Sequence, residues 1–263
     1  MRRSRSALLL ALVLTVVSAT AQQQSPPTAQ APQRDPQAIA ILQQSIAAMA
    51  SIAPTDSTAS GTVTIVEGST TQTGSIQILT RGTSQTSETL TLPDGQRAIV
   101  YSNGEAKEIN GASSATPPLE LIVTDQCPDF PLPLLLSSLS TPDQAIHYVG
   151  AETLAGKSVQ HIQVWNTFSS NPLLQSIAPF SAKDIWLDAN SALPLKIAYS
   201  RRAGSGAVPA IPVEVTYSNY TRANGILYPF QIDKSLNGTP WMTITISIVS
   251  FNTGLTASHF QVD

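Results

Sequence analysis

Cys127 is the single cysteine of this 263-residue chain, and His147, His161 and His259 are its three histidines. A metal-hydrolase helix needs two His four residues apart, and none of the three stands at such spacing from another ligand. In the strand pattern around it, His161 shares a face with Val159, Gln163 and Trp165, the setting of a hydrogen-bonded strand residue. Cys127 lies in Asp125-Gln-Cys-Pro-Asp129. As a nucleophile it would need a His and an orienting group beside it; no local signature of that kind surrounds it, so it reads as a buried or loop thiol. Gly204-Ser205-Gly206 is a flexible turn and not the strained G-x-S-x-G elbow of a hydrolase. No Gly-rich loop opens a helix, so nothing is set to cradle a phosphate. Arg201-Arg202 ends a strand, a solvated position from which an anionic head group could also be met. The chain is therefore read as non-catalytic, with no metal and no cofactor, and a secreted hydrolase is the least favoured alternative.

Large aromatics are the better candidates for function: Trp165, Trp186, Phe230 and Trp241 fall in or beside apparent strands. Buried aromatics are most often core, but two or more of them lining a cavity would make a site for an apolar molecule.

The elements that would position them follow from the pattern of apolar residues. Asp35 and Pro36 are an N-cap and a first helical residue, and Ile39, Leu42, Ile46 and Met49 then form one apolar stripe at helical spacing. Strands dominate afterwards. Ser60–Glu67, Gly74–Arg81, Gln85–Leu92, Gln96–Ser102 and Gly104–Asn110 are short runs separated by turn residues such as Pro93-Asp94-Gly95 and Asn103-Gly104. His147–Ala151, Lys157–Asn166, Lys183–Asp188, Leu195–Arg201, Val213–Tyr220, Ile226–Ser235 and Met242–Phe251 continue the pattern. In the last of these, Met242, Ile244, Ile246 and Ile248 are expected on one face, and Thr243, Thr245 and Ser247 on the other. One wet and one apolar face per strand implies antiparallel order.

Between the two groups of strands, residues 112–144 carry six prolines and the most apolar run of the chain after its start, Phe130-Pro-Leu-Pro-Leu-Leu-Leu. Repeated proline argues against a central strand and against a regular helix through the run, leaving room for a helical turn from Leu134 to Leu139. So many leucines must pack into the sheet or line a pocket mouth. The expected fold is all-β: a single antiparallel sheet of roughly 10–11 strands curled into an open, incomplete β-barrel. The N-terminal amphipathic helix and the Pro/Leu-rich loop cover its concave face. Cavity candidates are Ile39, Leu42, Ile46, Phe130, Leu134, Leu135, Trp165, Trp186, Phe230 and Trp241.

Residues 1–21 read as a secretory signal: Arg2, Arg3 and Arg5, a short apolar core from Ala7 to Val17, then Ala19-Thr20-Ala21. That core is too short to span a bilayer, and no Cys adjoins the cleavage point, so a periplasmic or extracellular protein with no membrane span is expected. Residues 22–34, rich in Gln and Pro, read as a disordered linker, and 35–263 as the folded domain. Cleavage would remove three of the 14 Lys and Arg and none of the 17 Asp and Glu, leaving a net charge of −6. Such a chain is a poor nucleic-acid binder. Charged residues are only 12% of the sequence.

The second half resembles the LolA/LolB-like superfamily of periplasmic lipoprotein- and lipid-binding proteins. The segment from His147 to Lys157 contains the G-x-E-x-x-x-G of its strand–turn–strand unit as Gly150, Glu152 and Gly156. Asp184-Ile-Trp-Leu-Asp188 with Leu193-Pro-Leu-Lys196 looks like its W-L-D and L-P-x-K pair, and Tyr217-Ser-Asn-Tyr220 with Gly225 and Pro229 like its closing hairpin. With Phe260, the resemblance covers about residues 145–262. It implies an incomplete barrel plugged by helices, no catalytic residues, and an apolar concave surface that holds acyl chains. The expected partner is thus an apolar small molecule or acyl chain, or a lipoprotein; the alternative is an envelope interaction module with a filled core that docks a protein through edge strands or the Pro–Leu loop.

Overall fold

A computed structural model describes residues 32–124, 129–201 and 209–262. Residues 1–31, with the leader reading and most of the linker, lie outside the described residues, as do Cys127, Arg202 and Gly204–Gly206. The first helix, α1 (Pro36–Met49), begins where the sequence places it: Asp35 caps it by accepting the backbone N–H of Gln37, and Pro36 occupies the first turn.

Six strands follow: β1 (Asp56–Glu67), β2 (Thr70–Arg81), β3 (Gln85–Leu92), β4 (Gly95–Ser102), β5 (Glu105–Asn110) and β6 (Ser113–Ala115). Helices α2 (Leu119–Thr124) and α3 (Leu132–Ser140) lead to β7 (Gln144–Leu154) and β8 (Lys157–Asn166). A 3₁₀ helix (Pro172–Ser181) precedes β9 (Lys183–Asp188), β10 (Pro194–Arg201), β11 (Ile211–Ala223), β12 (Ile226–Leu236) and β13 (Thr239–Phe251). Together the strands make one 13-stranded antiparallel sheet in the order β6-β5-β4-β3-β2-β1-β13-β12-β11-β10-β9-β8-β7. It is not closed, because β6 and β7 are its two edges. The all-β open barrel expected from the sequence is therefore the fold, with more strands than the 10–11 anticipated, the very short β6 among them.

This order explains the Pro/Leu segment. Two meanders join side by side at β1 and β13, so the chain leaves the first at one edge and must reach the other edge to start the second. The connection crosses the sheet's apolar face, and its leucines fill that face. Phe130, Leu132 and Leu135 are fully buried in one core cluster with Leu42 and Met49 of α1 and Ile76, Ile162, Ile185, Val215 and Ile244 of the sheet. Here the sequence reading needs correcting, for α3 is a regular helix through the proline-rich run. Pro131 is its N-cap and Pro133 lies in its first turn, where no backbone N–H is required and a fixed φ favours the helix. The guanidinium of Arg34 then donates to four carbonyls at and beyond the end of α3, those of Ser138, Leu139, Thr141 and Gln144. Backbone pairing of Gln33 and Asp35 with Ile146 ties this last part of the 22–34 segment to β7.

Ile248 does not share the face expected for it with Met242, Ile244 and Ile246. It is 62% exposed, while Val249 and Phe251 are buried. The β1–β13 register shifts at Ser60/Gly61, and beyond that bulge the faces of β13 exchange. Gly61 permits it: a Cβ there would stand 2.1 Å from the Thr245 carbonyl oxygen.

Candidate functional site

Strand alternation sends Leu90 and Leu92 of β3 and Tyr228, Ile232 and Met242 of β12 and β13 toward the core. The same alternation sends Glu88 and Lys234 inward. Curvature of the sheet brings them together although 146 residues separate them: Lys234 Nζ is 3.0 Å from Glu88 Oε2. Asp129, just before α3, completes the group, its Oδ1 2.7 Å from the same ammonium. The three side chains are only 10%, 15% and 4% exposed for Lys234, Glu88 and Asp129.

Burial opposes charge at all three, and their mutual arrangement decides who keeps it. For Lys234 the burial penalty is overcome by Asp129 and Glu88, and the ammonium is held well above the usual lysine range. For Glu88 burial is overcome by Lys234 and by hydrogen bonds from Asp129 and Lys234, which hold the carboxylate low. For Asp129 burial, reinforced by the Glu88 charge, prevails over Lys234 and pushes the carboxyl well above the ordinary range. The group is thus one ammonium held between two carboxyls, of which burial disfavours the charge of Asp129 the more. The nearby Tyr228 hydroxyl is also raised, by burial first and then by the two carboxyls; it has no hydrogen-bond partner among the described residues. Its ring stacks on Phe130 at 4.6 Å.

Two hollows adjoin this group. One, about 290 Å³, lies between β3–β4 and the helices, with Thr86, Val123, Asp129, Pro133, Leu134 and Lys183 in its wall. The other, about 260 Å³, is walled by Ile65, Leu90, Arg97, Arg201, Lys234, Trp241 and Met242. Glu88, Ile99 and Tyr101 belong to both. Each is near the lower end of the roughly 300–1,000 Å³ common for small-molecule sites. In the second, Arg97 pairs with Glu67 and Asp94, both at 2.6 Å, and Arg201 reaches Glu108 across the open side of the barrel at 3.9 Å.

The structure distributes the ten candidates three ways. Leu134 and Trp241 line the hollows. Trp241 does so because the β12–β13 register shifts at Lys234/Ser235, so that it and Met242 both reach the wall. Leu42, Phe130 and Leu135 are buried in packed core, with Ile39, Ile46 and Phe230 against it. The core beneath the α1 stripe is filled and these two hollows lie farther along the sheet, toward β3–β5; a third, also about 290 Å³, opens beside α1 between Gln37, Ile41, Gln44, Leu187 and Ala192. Trp165 and Trp186 stand on the other face, because Val164, Ile185 and Leu187, their neighbours along the strands, point into the core. Glu88, Ile99, Tyr101, Asp129 and Lys234 were missed. A signal for two of them was legible: Glu88 and Lys234 are charges at apolar-phase positions of β3 and β12.

Trp186 belongs to an outer-face cluster. His161 stacks on its ring at 4.3 Å, and Lys196 Nζ lies 4.1 Å from the ring centre. Glu152 accepts from the indole N–H at 2.9 Å and faces His161 Nδ1 at 2.7 Å, while Asp184 faces Nε2 at 2.8 Å. With both ring nitrogens engaged by carboxylates, His161 ties β7, β8 and β9 together and is not placed as a base. His147 is exposed, and His259 contributes to the capping box of the 3₁₀ helix Ala257–Phe260. Among the described residues, no group of three or more His, Cys, Asp and Glu is placed to hold a metal ion, and no helix is long and apolar enough to cross a membrane.

No protein-family model and no curated protein matches the chain. Solved structures do. A domain from Vibrio parahaemolyticus, described as an outer membrane lipoprotein-sorting protein, superposes with a TM-score of 0.58 at 16% identity, covering 85% of this chain and 96% of its own. A LolA superfamily protein from Nitrosomonas europaea gives 0.57 at 11% identity, covering 85% and 97%. The chain has a LolA-like fold. A DUF1329 family protein from Desulfovibrio piger shares it, with a TM-score of 0.58 at 11% identity over 87% of this chain and 98% of that one. In this chain the LolA-like sheet encloses the buried Lys234–Glu88–Asp129 group.

Proposed function

We propose that the chain is an exported, non-catalytic binder or carrier of a molecule with an apolar chain, held between β3–β5, α3 and β12–β13. The observation that carries this reading is the pair of adjoining hollows sharing Glu88, Ile99 and Tyr101. Side chains leave them unfilled although Ile65, Leu90, Leu134, Trp241 and Met242 line them. Each CH₂ moved from water into such a hollow contributes about 0.8 kcal/mol, so a short run of methylenes gives useful affinity. The LolA-like fold supports the reading, as does the lipoprotein-sorting description of one structural neighbour. Export rests on the leader-like start of the sequence.

Native mass spectrometry of freshly purified protein tests it, together with displacement of an uncharged fluorescent apolar probe. A co-purified lipid or saturable displacement is the expected result. Bare polypeptide with no displacement favours the second reading, an envelope interaction module, for which the filled core under α1 speaks.

A further inference from the structure

From the charge pattern around the two hollows we infer that the site takes an amphiphile with an uncharged, hydroxyl-bearing head, such as a monoacylglycerol, and discriminates against a fatty-acid carboxylate. This rests on the binding reading above and specifies its ligand.

Burying an anion requires a cation that is not already matched. In the second hollow every lining cation has a protein carboxylate: Arg97 has Glu67 and Asp94, Arg201 has Glu108, and Lys234 has Glu88 with Asp129. In the first, Lys183 lies over the Tyr199 ring at 5.5 Å. In the second hollow a ligand carboxylate would have to displace one of these acids and would face the others at short range. Uncharged hydroxyls do the opposite. They donate to the carboxylate oxygens of Glu88 and accept from Lys234, leaving the ion pairs intact, and hydrogen bonds to charged groups are the stronger kind.

Position adds to charge. Glu88 lies in the wall of both hollows, with Asp129 in the first and Lys234 in the second. A head group at Glu88 can therefore send its chain past Ile99 into the second hollow, between Ile65, Leu90, Trp241 and Met242. A buried ion group of this sort adds little to stability compared with apolar side chains of the same volume, which agrees with a role in recognition.

The test compares 1-monooleoylglycerol, oleate and oleylamine, matched in chain length, as competitors of one fluorescent probe on the mature protein near pH 7. Monooleoylglycerol is expected to bind roughly tenfold or more tighter than oleate. Glu88→Gln keeps the volume and frees part of the Lys234 charge, and should reduce that preference by about tenfold. Circular dichroism and the melting temperature of Glu88→Gln establish that it is folded; should it not fold, Ile99→Trp, which narrows both hollows, should weaken monooleoylglycerol. Oleate or oleylamine binding as tightly as monooleoylglycerol overturns the head-group inference and leaves the binding reading standing. If none of the three binds, the binding reading falls and this inference with it.

Discussion

The Lys234 ammonium and the Glu88 carboxylate meet at 3.0 Å inside the curved sheet, although β12 and β3 are separated there by β13, β1 and β2. Only a strongly bent sheet allows that contact, and Asp129 fastens the beginning of α3 to the same point. One ion group thus links both arms of the open barrel and its plug.

Lys234→Met leaves Glu88 and Asp129 buried without their cation and should destabilise the fold by about 3–5 kcal/mol, as removal of one partner from a buried pair does. Without the ammonium, both carboxyls in the folded chain are pushed above their unfolded values. The folded state then binds more protons than the unfolded one, so acid should restore part of the loss. Urea unfolding of the variant and wild type between about pH 4 and 8 measures both effects.

Asp56 gives the opposite pH dependence. Burial opposes its charge, but hydrogen bonds from the side chain and backbone of Thr253, from Gly254 and from Thr55 outweigh burial and hold the carboxyl below its ordinary value. A lowered folded pKa contributes stability that is complete above the unfolded value, near 3.9, and is lost as pH falls through the folded one. Asp56→Asn should cost about 1–3 kcal/mol at neutral pH, and that deficit should shrink in acid. The comparison is an equilibrium unfolding series from about pH 6 down to 2.

Arg34→Ala removes the donor of four hydrogen bonds to carbonyls at 138–144. About 1–3 kcal/mol of stability should go with it. Amide exchange should accelerate first in α3 and the beginning of β7, while β10–β13 keep their protection, because the loss is local.

Two tryptophan substitutions separate the faces of the sheet. Trp241→Ala removes a wall of the second hollow and should weaken a bound amphiphile by tenfold or more. Trp186→Phe alters the outer stack with His161 and Lys196 and should leave that affinity unchanged. Equal losses for both would contradict the placement of the ligand.

By itself the sequence determined what is local. Asp35-Pro36 starts α1, period-two alternation sets the strands, and turns such as Asn103-Gly104 separate them, because caps, φ restrictions and side-chain periodicity act over a few residues. It also determined the kind of fold, since one wet and one apolar face per strand leaves few architectures. Tertiary structure decided everything that depends on distant partners. Helix α3 forms in a proline-rich run because its prolines occupy the cap and first turn and its leucines have a sheet to cover. Ile248 turns outward because Gly61, far off in sequence, lets the β1–β13 pairing slip by one residue at Ser247. Trp186 faces out and Trp241 in because strand phase and a bulge in the β12–β13 pairing set the direction of each ring, and the mere presence of an aromatic carries no such sign. The Lys234–Glu88–Asp129 group and the hollows beside it depend on how far the sheet bends, a sum over thirteen strands that no short stretch of residues encodes.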